Sequence, residues 1–127
     1  MMLKSKVVGV LNKNMNQLSL NATSKEELEK ILLLNVIGLI EGLDGNFITI
    51  EEAEKFLFSP YVMTLVDSMG VSKELLEVIH LGTELEDVES LIPEKLSESL
   101  IEIKEKSINL LKKRKEYKLQ DKVIRKY

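Results

Sequence analysis

Apolar residues crowd one stretch of this chain more than any other, the run from Leu28 to Leu43. Between Ile31 and Ile40 only Asn35 is polar and only Gly38 lacks a side chain, so a helix here is apolar on every face, as a helix enclosed by other elements is. This predicts a buried central helix. The run falls short of the roughly 18 to 20 apolar residues needed to cross a bilayer. Ser24 with Glu27 forms a capping-box pattern that starts the helix near Lys25, and Gly42, Asp44, Gly45 and Asn46 supply the residues that end it. Gly38 in the helix interior is costly unless another element comes close there, and that close approach is expected.

The remaining pattern is one of short helices with tight starts. Thr49 with Glu52 repeats the capping pattern and opens a helix toward Phe58, with Ile50, Ala53, Phe56 and Leu57 on one face. Ser59-Pro60 opens a second that Gly70 ends. Ser72 opens a third, with Leu75, Leu76 and Ile79 inward and Gly82 as its stop. Thr83 with Glu86 reads as a further capping box. Ile92-Pro93 then precedes a long helix with Leu96, Leu100, Ile103 and Leu110 at helical spacing and a gap at Ser107. It is expected to pack on the central helix. Ahead of all this, the runs Lys6 to Leu11 and Gln17 to Leu20 flank an Asn-rich stretch and predict a small N-terminal β-hairpin. The fold class is therefore mostly α: a compact bundle of five or six helices around the buried central helix, with that hairpin at its start.

A chain of 127 residues fits one domain, and the absence of Cys excludes thiol chemistry and disulfides. Lys4 and Lys6 precede an apolar run too short for a leader peptide, which predicts a cytoplasmic protein. Charge divides the chain. Residues 1–111 carry 10 Lys and Arg against 19 Asp and Glu, a balance of −9, while 112–127 carry 8 against 2, a balance of +6. The expected organisation is one helical domain over 1–111, whose apolar stripe is complete by Leu111, and a basic C-terminal tail over 112–127. Tyr117, Leu119, Val123 and Tyr127 fit a loose helical stripe and a strand period alike.

Candidate chemistry is sparse. Glu77 and His80 form one Glu-x-x-His pair, the spacing of carboxylate-bridged di-metal bundles, but such a site needs a second pair and His80 is the only histidine. No metal and no cofactor is expected. The carboxylates Glu84, Glu86, Asp87, Glu89, Glu94, Glu98, Glu102 and Glu105 face only Lys95 and Lys104 in the same span, which makes a solvated acidic ridge rather than a catalytic pair. No phosphate-cradling glycine loop or nucleophile elbow is present. The basic residues Lys112, Lys113, Arg114, Lys115, Lys118, Lys122, Arg125 and Lys126, with Tyr117 and Tyr127 to stack, are the one candidate for nucleic acid.

The segments Glu52-Ala53-Glu54, Leu57-Phe58-Ser59-Pro60-Tyr61 and His80-Leu81-Gly82-Thr83-Glu84-Leu85-Glu86-Asp87-Val88 resemble a family of small bacterial proteins with no assigned function. The resemblance spans about residues 25–111 and implies a bacterial cytosolic origin. It carries no catalytic residue, and the tail looks like an addition to it. The expected function is a non-enzymatic protein-protein interaction module, with an immunity- or antitoxin-like inhibitor as one concrete form. Its partner-binding residues would be Glu84, Glu86, Asp87, Glu98 and Glu102 on the ridge and Lys112, Lys113, Arg114, Lys115 and Arg125 in the tail. The partner is another protein or a second copy, and no membrane. The alternative is a nucleic-acid-associated regulator that binds through the tail.

Overall fold

The structure, a computed structural model, describes residues 17–126, so the first half of the expected hairpin lies outside the described residues. The described residues form two compact units, one over 23–118 and one combining 17–22 with 119–126. The larger unit is helical. It contains α1 (Lys25–Asp44), α2 (Ile50–Phe56), α3 (Pro60–Ser68), α4 (Lys73–Thr83), α5 (Leu85–Leu91), a 3-10 turn (Pro93–Lys95) and α6 (Leu96–Lys112).

Local chemistry accounts for most of these boundaries. The Ser24, Thr49, Ser59 and Ser72 hydroxyls each accept a backbone N–H from the first turn they cap. At Thr49 the box is reciprocal, because the Glu52 carboxylate accepts the Thr49 N–H at 2.9 Å. At Ser24 it is not: Glu27 reaches one residue further back and accepts the Thr23 N–H at 2.7 Å. The box expected at Thr83 is absent, since the Thr83 hydroxyl donates to the His80 carbonyl at 2.6 Å and belongs to the last turn of α4. The cap position of α5 is Glu84, with no side-chain capping bond.

Packing follows the apolar spacing of the two long helices. α6 lies along α1, and α4 and α5 pack on α6 in turn. Ile31, Leu33, Val36, Ile40 and Leu43 of α1 are buried, as are Leu100, Ile103 and Leu110 of α6. Ser107, the gap in the α6 stripe, is buried too and satisfies its own hydroxyl by donating to the Ile103 carbonyl at 2.8 Å. α1 is not enclosed all round, however. Its 20 residues make a rod about 30 Å long, and Leu34 and Gly38 face solvent on the side its neighbours leave open.

Two expectations about close contacts are corrected. Among the described residues a Cβ on Gly38 would meet nothing within 4 Å, so no described element approaches there. The close approach is at Gly82, which is buried and lies so near the Phe58 ring that a Cβ would fall inside it. Of the face expected for α2, Ala53 and Leu57 are buried and Ile50 is half-buried, but Phe56 is exposed, and Phe58, outside that face, is fully buried. The reason is that α2 ends at Phe56, and the turn through Leu57 redirects the chain so that Phe58 enters the core from outside the helix.

The segment after α6 is part of the larger unit through Lys118. Arg114 folds back so that its Nε donates to Glu29 Oε1 at 2.8 Å and its Nη1 to the Leu110 carbonyl at 2.7 Å. Glu29 Oε2 accepts the Ser72 N–H at 2.6 Å. The two side chains of this ion pair are 4 % and 12 % exposed, for Glu29 and Arg114 respectively. Lys30 Nζ also donates to the Tyr117 carbonyl at 2.7 Å. The tail is thus neither a continued helix nor a free segment at its start: turns follow α6.

In the smaller unit β1 (Leu18–Leu20) pairs antiparallel with β2 (Ile124–Lys126), Leu18 opposite Lys126 and Leu20 opposite Ile124. The Asn21 N–H extends the ladder to the Val123 carbonyl at 2.9 Å. The described half of the expected hairpin therefore pairs with the end of the chain.

Two outcomes test this packing. Gly82→Ala should cost about 1–3 kcal/mol, because Phe58 has no space to yield, while Gly38→Ala should add about 0.5–1 kcal/mol by removing a helix-interior glycine. Urea unfolding of both variants reads the pair, and equal effects would contradict the assignment. A chain ending at Lys112 strands the buried Glu29 carboxylate and should lose about 3–5 kcal/mol, whereas the larger unit in a chain ending at Lys118 should melt as it does in the full chain. Matching melts for the two truncations would show that Arg114 contributes nothing.

Candidate functional site

The turn from α1 to α2 borders a groove that α5 and α6 also line. Asn46 takes a left-handed φ of 61°, and the N–H groups of Phe47 and Ile48 both return to the Gly42 carbonyl, at 2.8 and 3.3 Å. This order places the Phe47 ring against Gly45, where a Cβ would collide with it, yet leaves Phe47 84 % exposed. Behind Phe47 runs a groove of about 470 Å³ with Leu43, Ile48, Ile50, Leu96 and Leu100 among its apolar residues. Its charged residues are Glu51 and Glu52 at the start of α2 and Glu86 and Glu89 on α5, all acidic.

Neighbouring carboxylates act on Glu54 of α2. Glu54 has its pKa raised, first by burial and then by the negative charges of Glu86, Glu51 and Asp87. Lys55 lies 3.8 Å from Glu51 in an exposed pair, too well solvated to cancel that field. Glu51, Glu52 and Glu54 sit on the first turns of α2, where the helix dipole favours negative charge. None of the three was read from sequence as a partner-binding residue, although three carboxylates within four positions beside an aromatic turn residue were the available clue.

The sequence-derived ridge is divided by the fold. Glu86 and Asp87 join the α2 carboxylates. Glu84 instead faces His80 at 3.4 Å, and Glu98 faces Lys95 at 3.6 Å, both in exposed pairs. Glu102 is exposed on α6 and does not line the groove. The Glu77-x-x-His80 pair is split between partners, Glu77 lying 4.0 Å from Lys106. Among the described residues no group of three or more His, Asp and Glu is placed to hold a metal ion. Of the basic residues, Arg114 is committed to Glu29. Lys112 and Lys115, with Lys30, flank an apolar strip of Leu34, Ile108 and Leu111, and Lys113 is exposed at the end of α6. Arg125 lies in β2, its Nε donating to the Lys122 carbonyl at 2.9 Å. No described helix is long and apolar enough to cross a membrane.

The Glu54 environment has a pH signature. Because its charged form is disfavoured in the folded chain, the folded state keeps the proton to higher pH than the unfolded state does. Stability therefore falls as pH rises from the ordinary value of 4.5 through the raised one, and the penalty persists above it. Glu54→Gln should remove this fall and leave the protein more stable at neutral pH. Thermal melts of both proteins across that interval check it, and parallel pH curves would contradict it.

No curated protein and no solved structure matches the chain. A family described as protein of unknown function (DUF3969) matches residues 23–126. The match reaches well past Leu111, so the basic segment is part of the family pattern rather than an addition to it. The chain is a member of this family of unknown function.

Proposed function

We propose that the protein is a non-enzymatic binding module that holds a basic protein partner through the face formed by α2 and α5. The observation that carries this reading is the clustering of Glu51, Glu86 and Asp87 around Glu54, whose pKa is raised by burial and then by their negative charges. Such a cluster steers association with positively charged surfaces and rejects others. An inhibitor that covers a basic active surface, as immunity proteins and antitoxins do, is one concrete form, and the cytoplasm is the compartment proposed for it.

The second reading, a nucleic-acid-associated regulator, is favoured by a different observation. Lys112, Lys113, Lys115 and Lys118 are all exposed and close in sequence. Arg114 is withdrawn from that set by Glu29, which lowers the charge available to phosphate. About six phosphate contacts would make log affinity fall with log salt at a slope near −5.

Affinity purification from the source cells separates the readings. The expected result is a basic protein retained by the wild-type chain, untouched by nuclease, and lost when Glu51, Glu86 and Asp87 are changed to their amides. A nuclease-sensitive companion kept by that variant, and lost when Lys112, Lys113 and Lys115 become Gln, would instead establish the tail as the binding element.

A further inference from the structure

The acidic reading names a face but not what enters it, and the groove behind Phe47 narrows that choice. Phe47 is 84 % exposed although it sits on an ordered turn, held by two backbone bonds and by contact with Gly45. Leaving a Phe side chain in water forgoes the stabilisation its burial would give, so a fixed, exposed aromatic beside an apolar groove is the pattern of an interface anchor. The groove lining combines apolar Leu43, Ile48, Ile50, Leu96 and Leu100 with the carboxylates of Glu51 and Glu52 on α2 and Glu86 and Glu89 on α5. Among the described residues no cationic side chain lines it. Glu86 and Glu89, three apart on one helix, fall on one face and present their charges together.

We propose that this groove is the docking site for a segment of a partner protein in which Lys or Arg residues flank one bulky apolar side chain. The apolar side chain packs on Phe47 and the apolar lining, and the cations meet the carboxylates of α2 and α5. A purely cationic ligand would leave Phe47 unused, and a purely apolar one would lie beside the Glu86 and Glu89 carboxylates without bringing them a cation. Charge complementarity disfavours the acidic faces of other copies of this chain, and docking of another copy's strip of Leu34, Ile108 and Leu111 flanked by lysines is the outcome that the mass measurement below detects. The proposal rests on the acidic-face reading above and adds the groove, the anchor and the character of the bound segment.

The test uses the full-length protein and a helical leucine–lysine peptide as probe, with its leucine–glutamate and serine–lysine counterparts as controls. Amide shifts in NMR report where the probe sits, and titration reports affinity. Binding of the leucine–lysine peptide alone is expected, with shifts centred on Phe47, Ile50, Glu86 and Glu89. Phe47→Ser should weaken it by roughly tenfold or more, as loss of an aromatic anchor does. Glu86→Gln with Glu89→Gln should weaken it and reduce its salt dependence, while Glu102→Gln on α6 leaves it unchanged. Phe47 is so exposed that its replacement leaves folding intact, and a melt of the variant verifies this. Shifts centred instead on α6, or equal affinity after Phe47→Ser together with displacement by spermidine, overturn the groove proposal and leave the acidic face standing. Concentration-dependent mass that Phe47→Ser abolishes places a second copy in the groove and also overturns it. Absence of binding by either lysine peptide overturns both readings.

Discussion

The interaction on which the larger unit depends is the buried carboxylate of Glu29. It sits on α1, at the end that meets the start of α4, and is nearly inaccessible to solvent. A charge in that position is sustainable only if donors replace the water it has lost. Three do so: the Ser72 N–H ahead of α4, and Nε and Nη2 of Arg114 from beyond α6. Arg114 simultaneously bonds the Leu110 carbonyl, one of the acceptors that the end of α6 leaves open. One guanidinium thus ties α1, the entry to α4 and the exit from α6. Apolar contacts supply bulk stability but tolerate sliding, whereas this arrangement accepts one geometry only.

That constraint also decides which charges face outward. With Arg114 turned inward, its neighbours Lys113 and Lys115 stay exposed, and Lys112 and Lys115 flank the Leu34–Ile108–Leu111 strip together with Lys30. Elsewhere on the unit, the α1–α2 turn and α5 gather carboxylates around an apolar groove. The basic residues after Leu111 are shared between the two units: Lys112, Lys113 and Lys115 belong to the larger unit, which also carries the α2 and α5 carboxylates, while Lys122, Arg125 and Lys126 belong to the smaller one, and the family match covers both through residue 126.

Features set by neighbours in sequence were legible. Ser24, Thr49, Ser59 and Ser72 cap the helices they announce, because a cap involves only the next three residues. The α6 stripe and its packing on α1 followed from apolar spacing, and Ser107 was a gap only in hydropathy, since its hydroxyl is satisfied within its own helix. What depended on distant partners was hidden. Gly38 and Gly82 are alike in sequence, but only Gly82 has Phe58 against it. Phe56 and Phe58 are two residues apart, and the end of α2 between them sends one out and the other in. Leu18–Leu20 finds its strand partner at the far end of the chain, and Arg114 resembles every other cation of its run until Glu29 is placed beside it. The groove at Phe47 was missed for the same reason, since α2 and α5 approach only in the fold.

A double-mutant cycle on Glu29→Gln and Arg114→Gln, read by urea unfolding, measures the central claim directly. Each single change leaves an unpaired buried partner and should cost about 3–5 kcal/mol, while the double change removes both charges together and should cost much less than the sum. The predicted coupling is at least about 1 kcal/mol, beyond the roughly 0.5 kcal/mol scatter of independent sites. Additive effects within that scatter would show that the two side chains do not depend on each other and would contradict the account.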